Sequence, residues 1–128
     1  MATASDSSRR AAIAARAAAD KKGTEIVVLD VGPIISIAEM FVIVSATNPR
    51  QVRTIADEVE LALKVSDGEG PRAVEGLDDA TWVLMDYGDV IVHIFLAETR
   101  EYYGLDRLWA DAPNVEWELE PVAATSEP

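Results

Sequence analysis

Residues 82–95 read WVLMDYGDVIVHIF, and in them Asp86, Asp89 and the chain's single histidine, His93, stand three and four positions apart. Those residue types can do chemistry. Carboxylates suit a hard cation such as Mg²⁺ and histidine titrates near neutrality, so Asp86 with Asp89 could ligate a metal, or Asp86 with His93 could form an acid/base pair. The groups that usually accompany such sites are missing from the sequence. It has no Gly-Lys-Ser/Thr phosphate loop, no serine in a nucleophile elbow, and no second histidine for an HxxxH zinc pair. An adhesive reading makes fewer demands. Trp and Tyr bury large rigid areas while keeping one polar atom for a hydrogen bond. A surface of Trp82, Met85 and Tyr87 rimmed by Asp86 and Asp89 would therefore suit the apolar patch of a basic partner. The plainest reading is a hairpin in which Asp89 serves the turn and His93 is a satisfied strand residue.

Whichever holds, a hairpin must position these groups. A two-residue Gly88-Asp89 turn with glycine first predicts a type II′ connection, with Tyr87 opposite Val90. Period two then sets every partner. Tyr87, Met85 and Val83 oppose Val90, Val92 and Ile94 on one face; Asp86, Leu84 and Trp82 oppose Ile91, His93 and Phe95 on the other. Asp86 and His93 become diagonal neighbours within reach of a hydrogen bond.

The rest of the chain supplies the frame. Residues 7–22 are alanine-rich and helix-favouring, ending near Gly23, with little bulk to bury. Residues 26–31 (IVVLDV) and 41–46 (FVIVSA) are β-branched runs fit for buried strands. Asn48 can cap a helix with Pro49 at its first position and Gln51 three residues on, and Val52, Ile55, Val59 and Leu63 form its apolar side. Residues 66–71 (SDGEGP) break the chain. Residues 98–109 (ETREYYGLDRLW) predict one helix with Tyr102, Leu105, Leu108 and Trp109 on one side, despite Gly104. Helices distributed among strands predict a single α/β (α+β) domain with a mixed β-sheet flanked by helices.

Composition limits the function classes. The 128 residues carry a net charge of −12 and no cysteine, so disulfides and thiolate metal sites are excluded. The charge is lopsided: residues 1–56 hold seven Lys/Arg against five Asp/Glu, and residues 57–128 hold four against eighteen. An acidic half repels a phosphate backbone, which disfavours a direct nucleic-acid reader. It attracts a basic protein partner instead. With no secretory h-region and no apolar run near the roughly 18 residues that span a bilayer, the expectation is a soluble, cytoplasmic protein with no membrane contact.

Three segments together resemble the ribosomal silencing factors, also called Iojap or YbeB-like proteins, over roughly residues 11–112. They are DKKGTEIVVLDV (20–31), FVIVSATNPRQVRTIADEV (41–59), and WVLMDYGDVIVHIF followed by REYYGLDRLW (100–109). The last pair is the most specific, combining tryptophan, the Asp-x-Gly-Asp turn, the histidine and a closing Leu-Trp. Glu39 and Met40 stand where the family often has Asp-Tyr, so no ligand role is carried there; Asp106 stands where it often has Glu. The resemblance implies a non-enzymatic translation repressor with a nucleotidyltransferase-like fold, homodimeric when free and needing no cofactor. Its implied partner is the large ribosomal subunit, bound through ribosomal protein number fourteen so that the small subunit cannot join, with translation damped under nutrient limitation or in stationary phase. Contacts are expected at Trp82, Met85, Asp86, Tyr87, Gly88, Asp89, His93, Arg100 and Tyr103. Residues 1–10 are expected to be a flexible N-terminus and 113–128 an acidic disordered tail. Two rivals remain: a nucleotidyltransferase-like enzyme binding metal and nucleotide through Asp86 and Asp89, and a homodimeric adaptor with another basic partner.

Overall fold

The computed structural model describes residues 5–118. The elements run α1 (Ser5–Asp20), β1 (Thr24–Asp30), β2 (Met40–Ala46), α2 (Pro49–Asp67), β3 (Ala73–Glu75), β4 (Trp82–Asp86), β5 (Val90–Leu96), α3 (Ala97–Tyr103) and α4 (Leu105–Leu108). The five strands form one sheet in the order β1-β2-β5-β4-β3. Only the central pair β2–β5 is parallel; the others are antiparallel, so the sheet is mixed, as expected.

Burial explains the order. Every residue of β2 is buried, as a mostly apolar strand inside a covered sheet should be. The face carrying Val28, Val42, Val92, Met85 and Val74 is covered by α1 and α2. On the opposite face Leu29, Phe41, Ile43 and Phe95 form a second, smaller core with Ile35, Leu105, Trp109 and Ala112.

The start of α2 follows its sequence signals. Asn48 is extended and its side chain accepts from Gln51 N–H at 2.8 Å, with Pro49 inside the first turn. The Gln51 side chain accepts from Thr47 N–H at 2.8 Å, one residue earlier than the usual reciprocal bond. Val52, Ile55, Val59 and Leu63 are all buried.

α1 is used more than its composition suggests. Ala11, Ala14, Ala15 and Ala18 are wholly buried, because methyl-sized side chains let the helix backbone lie close to the sheet and to α2. Ala14→Leu should therefore overpack this layer and destabilise the fold by about 1–3 kcal/mol, seen as a lower urea midpoint.

Both ends of the expected domain carry structure among the described residues. The N-terminal segment, taken as flexible to residue 10, is helical from Ser5. Arg10 ties it down, pairing with Asp67 (3.0 Å) at the end of α2 and Asp89 (2.8 Å) in the β4–β5 turn. At the other end, residues 113–117 run along the outer edge of β1. Asp30 N–H donates to the Pro113 carbonyl at 2.9 Å and Val115 N–H to that of Val28 at 2.8 Å. Trp117 packs against the α1 side of the core. The remainder of the expected tail, 119–128, lies outside the described residues.

The helix expected over 98–109 is two helices. Gly104 adopts φ +62° and closes α3, its N–H donating to the Arg100 carbonyl at 2.8 Å. A left-handed glycine turns the chain there rather than weakening one continuous helix. Tyr102 and Leu108 consequently sit exposed instead of sharing a buried side.

Candidate functional site

The hairpin has the register that period two predicts. Trp82 pairs with Phe95, Val83 with Ile94, Leu84 with His93, Met85 with Val92 and Asp86 with Ile91. Tyr87 N–H donates to the Val90 carbonyl at 2.9 Å, and Gly88 takes φ +94° as the first turn residue.

That register separates residues that the adhesive reading had placed on one surface. Met85 and Tyr87 point into the helix-covered face and are buried, so neither can meet a partner there. The Tyr87 ring has the Arg10 guanidinium 5.8 Å from its centroid. Burial, with a smaller push from Glu60, raises its hydroxyl pKa to about 12.

Asp86 and His93 do not bond to each other. Asp86 Oδ1 accepts from Gly88 N–H at 2.8 Å and holds the turn. Asp89 is claimed by α1: Arg10 donates to Oδ1 at 2.8 Å, and Ser7 Oγ lies 3.1 Å from Oδ2 and 2.7 Å from Glu39 Oε1. The Asp89 carbonyl also accepts from the N–H groups of Glu39 and Met40. Its side chain braces α1 against the hairpin turn. A cation placed between Asp86 and Asp89 would compete with Arg10 and Ser7 for the Asp89 carboxylate.

His93 is buried, and Trp82 Nε1–H donates to its Nδ1 at 3.2 Å. Desolvation pushes the imidazole down to about 4. Arg100 is likewise internal. Its guanidinium bonds Asp106 through two nitrogens (3.1 and 2.6 Å), the Glu25 carbonyl (2.6 Å) and Ser45 Oγ (2.8 Å). The clamp fixes α3 to β1 and β2, and the Arg100 guanidinium holds the Asp106 carboxyl below its usual pKa.

What stays accessible is a patch on the thinly covered side of β4. Trp82 and Leu84 are half-buried there. The Trp82 ring stacks on Phe95 (centroids 4.9 Å, 30° between planes) and meets Tyr103 at 4.9 Å. Tyr103 and Tyr102 are exposed, and edge-to-face with each other at 5.0 Å. Glu75 lies directly opposite Leu84 across the β3–β4 pair, and Asp86 follows two residues along the same strand face. A shallow concavity of about 260 Å³ opens between Glu75, Gly76, Trp82 and Leu84. Leu84 and Glu75 were absent from the sequence-derived site. Strand alternation from Trp82 would have found Leu84; Glu75 needed the β3–β4 pairing.

The family model described as "Ribosomal silencing factor during starvation" matches residues 4–128. The chain belongs to the ribosomal silencing factor family. Among relatives in that family, the ribosomal silencing factor of Halalkalibacterium halodurans is 42% identical over 108 residues, covering 83% of this chain and 90% of the relative. That of Bacillus subtilis is 42% identical over 101 residues, covering 79% and 85%. A crystal structure of a Chromobacterium violaceum protein superposes with a TM-score of 0.73 at 30% identity, covering 89% of this chain and 93% of that one. As expected of this ribosomal silencing factor family member, the fold is a single small α+β domain. No helix among its described residues is long and apolar enough to cross a membrane.

Proposed function

We propose that this family member represses translation by docking on the large ribosomal subunit through ribosomal protein number fourteen, on the face where the small subunit would join. The protein is a regulator rather than an enzyme, acts in the cytoplasm under nutrient limitation or in stationary phase, and is a homodimer when free. The observation that carries this reading is the accessible Trp82–Leu84–Tyr103 patch with Glu75 and Asp86 beside it. Aromatic anchors concentrate binding energy, and flanking carboxylates on a chain of net charge −12 favour a basic protein surface over bare RNA. Of the contacts first expected, Trp82, Tyr103 and Asp86 remain on the docking surface. Gly88 belongs to the turn that shapes its end.

The test is sedimentation of purified large and small subunits, with and without the protein, at association-promoting magnesium. The protein should travel with large subunits and lower the joined fraction. Normal joining, with the protein left at the top of the gradient, would refute the proposal.

A further inference from the structure

We infer that His93 is a positioning residue, which turns the pyrrole edge of the Trp82 indole inward so that the ring is presented to the partner in one orientation. The inference rests on the docking reading above. It starts from a mismatch in the sheet. In the row Glu75, Leu84, His93, Ile43, Val27, His93 stands between two aliphatic neighbours on an apolar face and is only 5% exposed. Phe41 packs against it edge-to-face at 4.8 Å, and the Phe95 ring lies nearly parallel at 6.2 Å.

An indole N–H can only donate, so His93 Nδ1 must be the acceptor in the 3.2 Å bond from Trp82 Nε1. The neutral ring then carries its proton on Nε2. That atom is buried and has no hydrogen-bond partner among the described residues. The hydrogen bond that Nδ1 accepts stabilises the fold by less than a buried donor left without a partner costs it. For stability alone, an aliphatic side chain would serve this position as well or better. Such a group is a sign of function at the expense of stability.

The function is legible in what His93 touches. Phe95 and Tyr103 both lie 4.9 Å from the Trp82 ring. Stacking fixes the plane of an indole more firmly than the edge that faces inward, since a half-turn about the ring bond keeps the plane and moves only the position of the six-membered ring within it. A directional bond from Nε1–H to Nδ1 removes that choice. Pre-set orientation lowers the ordering cost of docking, which appears as affinity.

The experiment compares His93→Leu, His93→Asn and the wild-type protein by thermal melting, by NMR of the Trp82 indole N–H, and by affinity for purified large subunits. Trp82→Phe assigns the resonance. Asparagine places an oxygen about where Nδ1 lies and keeps an acceptor. His93→Leu should melt at or above the wild-type temperature, shift the indole N–H and speed its exchange, and bind large subunits about tenfold more weakly. His93→Asn should restore both the resonance and most of the affinity. Unaltered binding by His93→Leu would overturn the inference. So would a His93→Leu protein that does not fold or melts well below wild type, since the imidazole would then be a core requirement. The indole signal is read without ribosomes. If wild type shows the protected N–H but does not bind large subunits, the docking reading fails and the orientation of Trp82 has another purpose.

Discussion

Trp82→Ala should weaken binding to the large subunit by about 30- to 700-fold, the equivalent of about 2–4 kcal/mol at 1.4 kcal/mol per tenfold. Trp82 sits at the centre of the accessible patch, between Tyr103 and Phe95, with Leu84 two residues along the same strand face. Truncation removes the largest rigid area a partner could cover. It also opens a gap against Phe95 and His93, so the variant should lose some stability while remaining folded, which far-UV circular dichroism and a cooperative melt would verify. Leu84→Arg separates docking from packing. Leu84 is half-buried and outside both core clusters, and the substitution sets a cation against a basic partner. It should weaken binding comparably with little change in melting temperature. If both folded variants bind as wild type does, the patch is not the docking surface.

The second large effect is on acid stability. His93 in the folded protein holds its proton only near pH 4, because burial disfavours the charged ring, whereas an unfolded chain protonates histidine near pH 6.5. Between those values the unfolded state binds a proton that the folded state does not, so stability rises with pH through this window. It should be complete above about pH 6.5 and lower by about 3 kcal/mol on reaching pH 4, at 1.36 kcal/mol per pH unit of difference. Urea midpoints at pH 7.5, 5.5 and 4.5 would show the decline, and His93→Leu should be nearly flat over the same interval. The lowered pKa values of Asp67 and Asp106 act further down, where the unfolded carboxyls near 3.8 begin to protonate. A wild-type midpoint that holds steady to pH 4.5 would contradict the buried neutral imidazole.

The parts of the fold legible in the sequence were those written locally. Gly88-Asp89 and strand alternation specified the hairpin register, because a two-residue turn leaves one way to pair the flanking residues. Asn48, Pro49 and the Val52–Ile55–Val59–Leu63 spacing specified α2 for the same reason. What was missed depends on residues far apart. Met85 and Tyr87 looked like anchors beside Trp82. They are core because α2 packs on β4, and because α1, more than sixty residues earlier, brings Arg10 over the Tyr87 ring. Asp89 looked available until Arg10, 79 residues away, was seen to hold it. Arg100 was expected at the surface, yet it reaches Glu25 and Ser45 across 75 and 55 residues. Alanine composition hid α1's burial, since small residues signal close approach only once a neighbour is known. At Gly104, helical periodicity on both sides masked a left-handed cap whose effect is to expose Tyr102 and Leu108. Family resemblance recovered the class of function, while the residue list drawn from it mixed accessible side chains with ones buried in the fold.

The parallel pairing at the centre of the sheet has a consequence for the protein's own birth. β2 is buried along its whole length, yet its inner neighbour is β5, with Met40 matched to Val90 fifty residues later. At about 5–20 residues per second of synthesis, a nascent chain that has already made β2 waits about 3–10 s before β5 exists to cover that edge. In that interval the strand most prone to pair with another chain has only β1 beside it. A protein that acts on ribosomes thus spends its most aggregation-exposed seconds still attached to one, and transcripts truncated before codon 90 should yield products for chaperones and proteases instead of partial silencers.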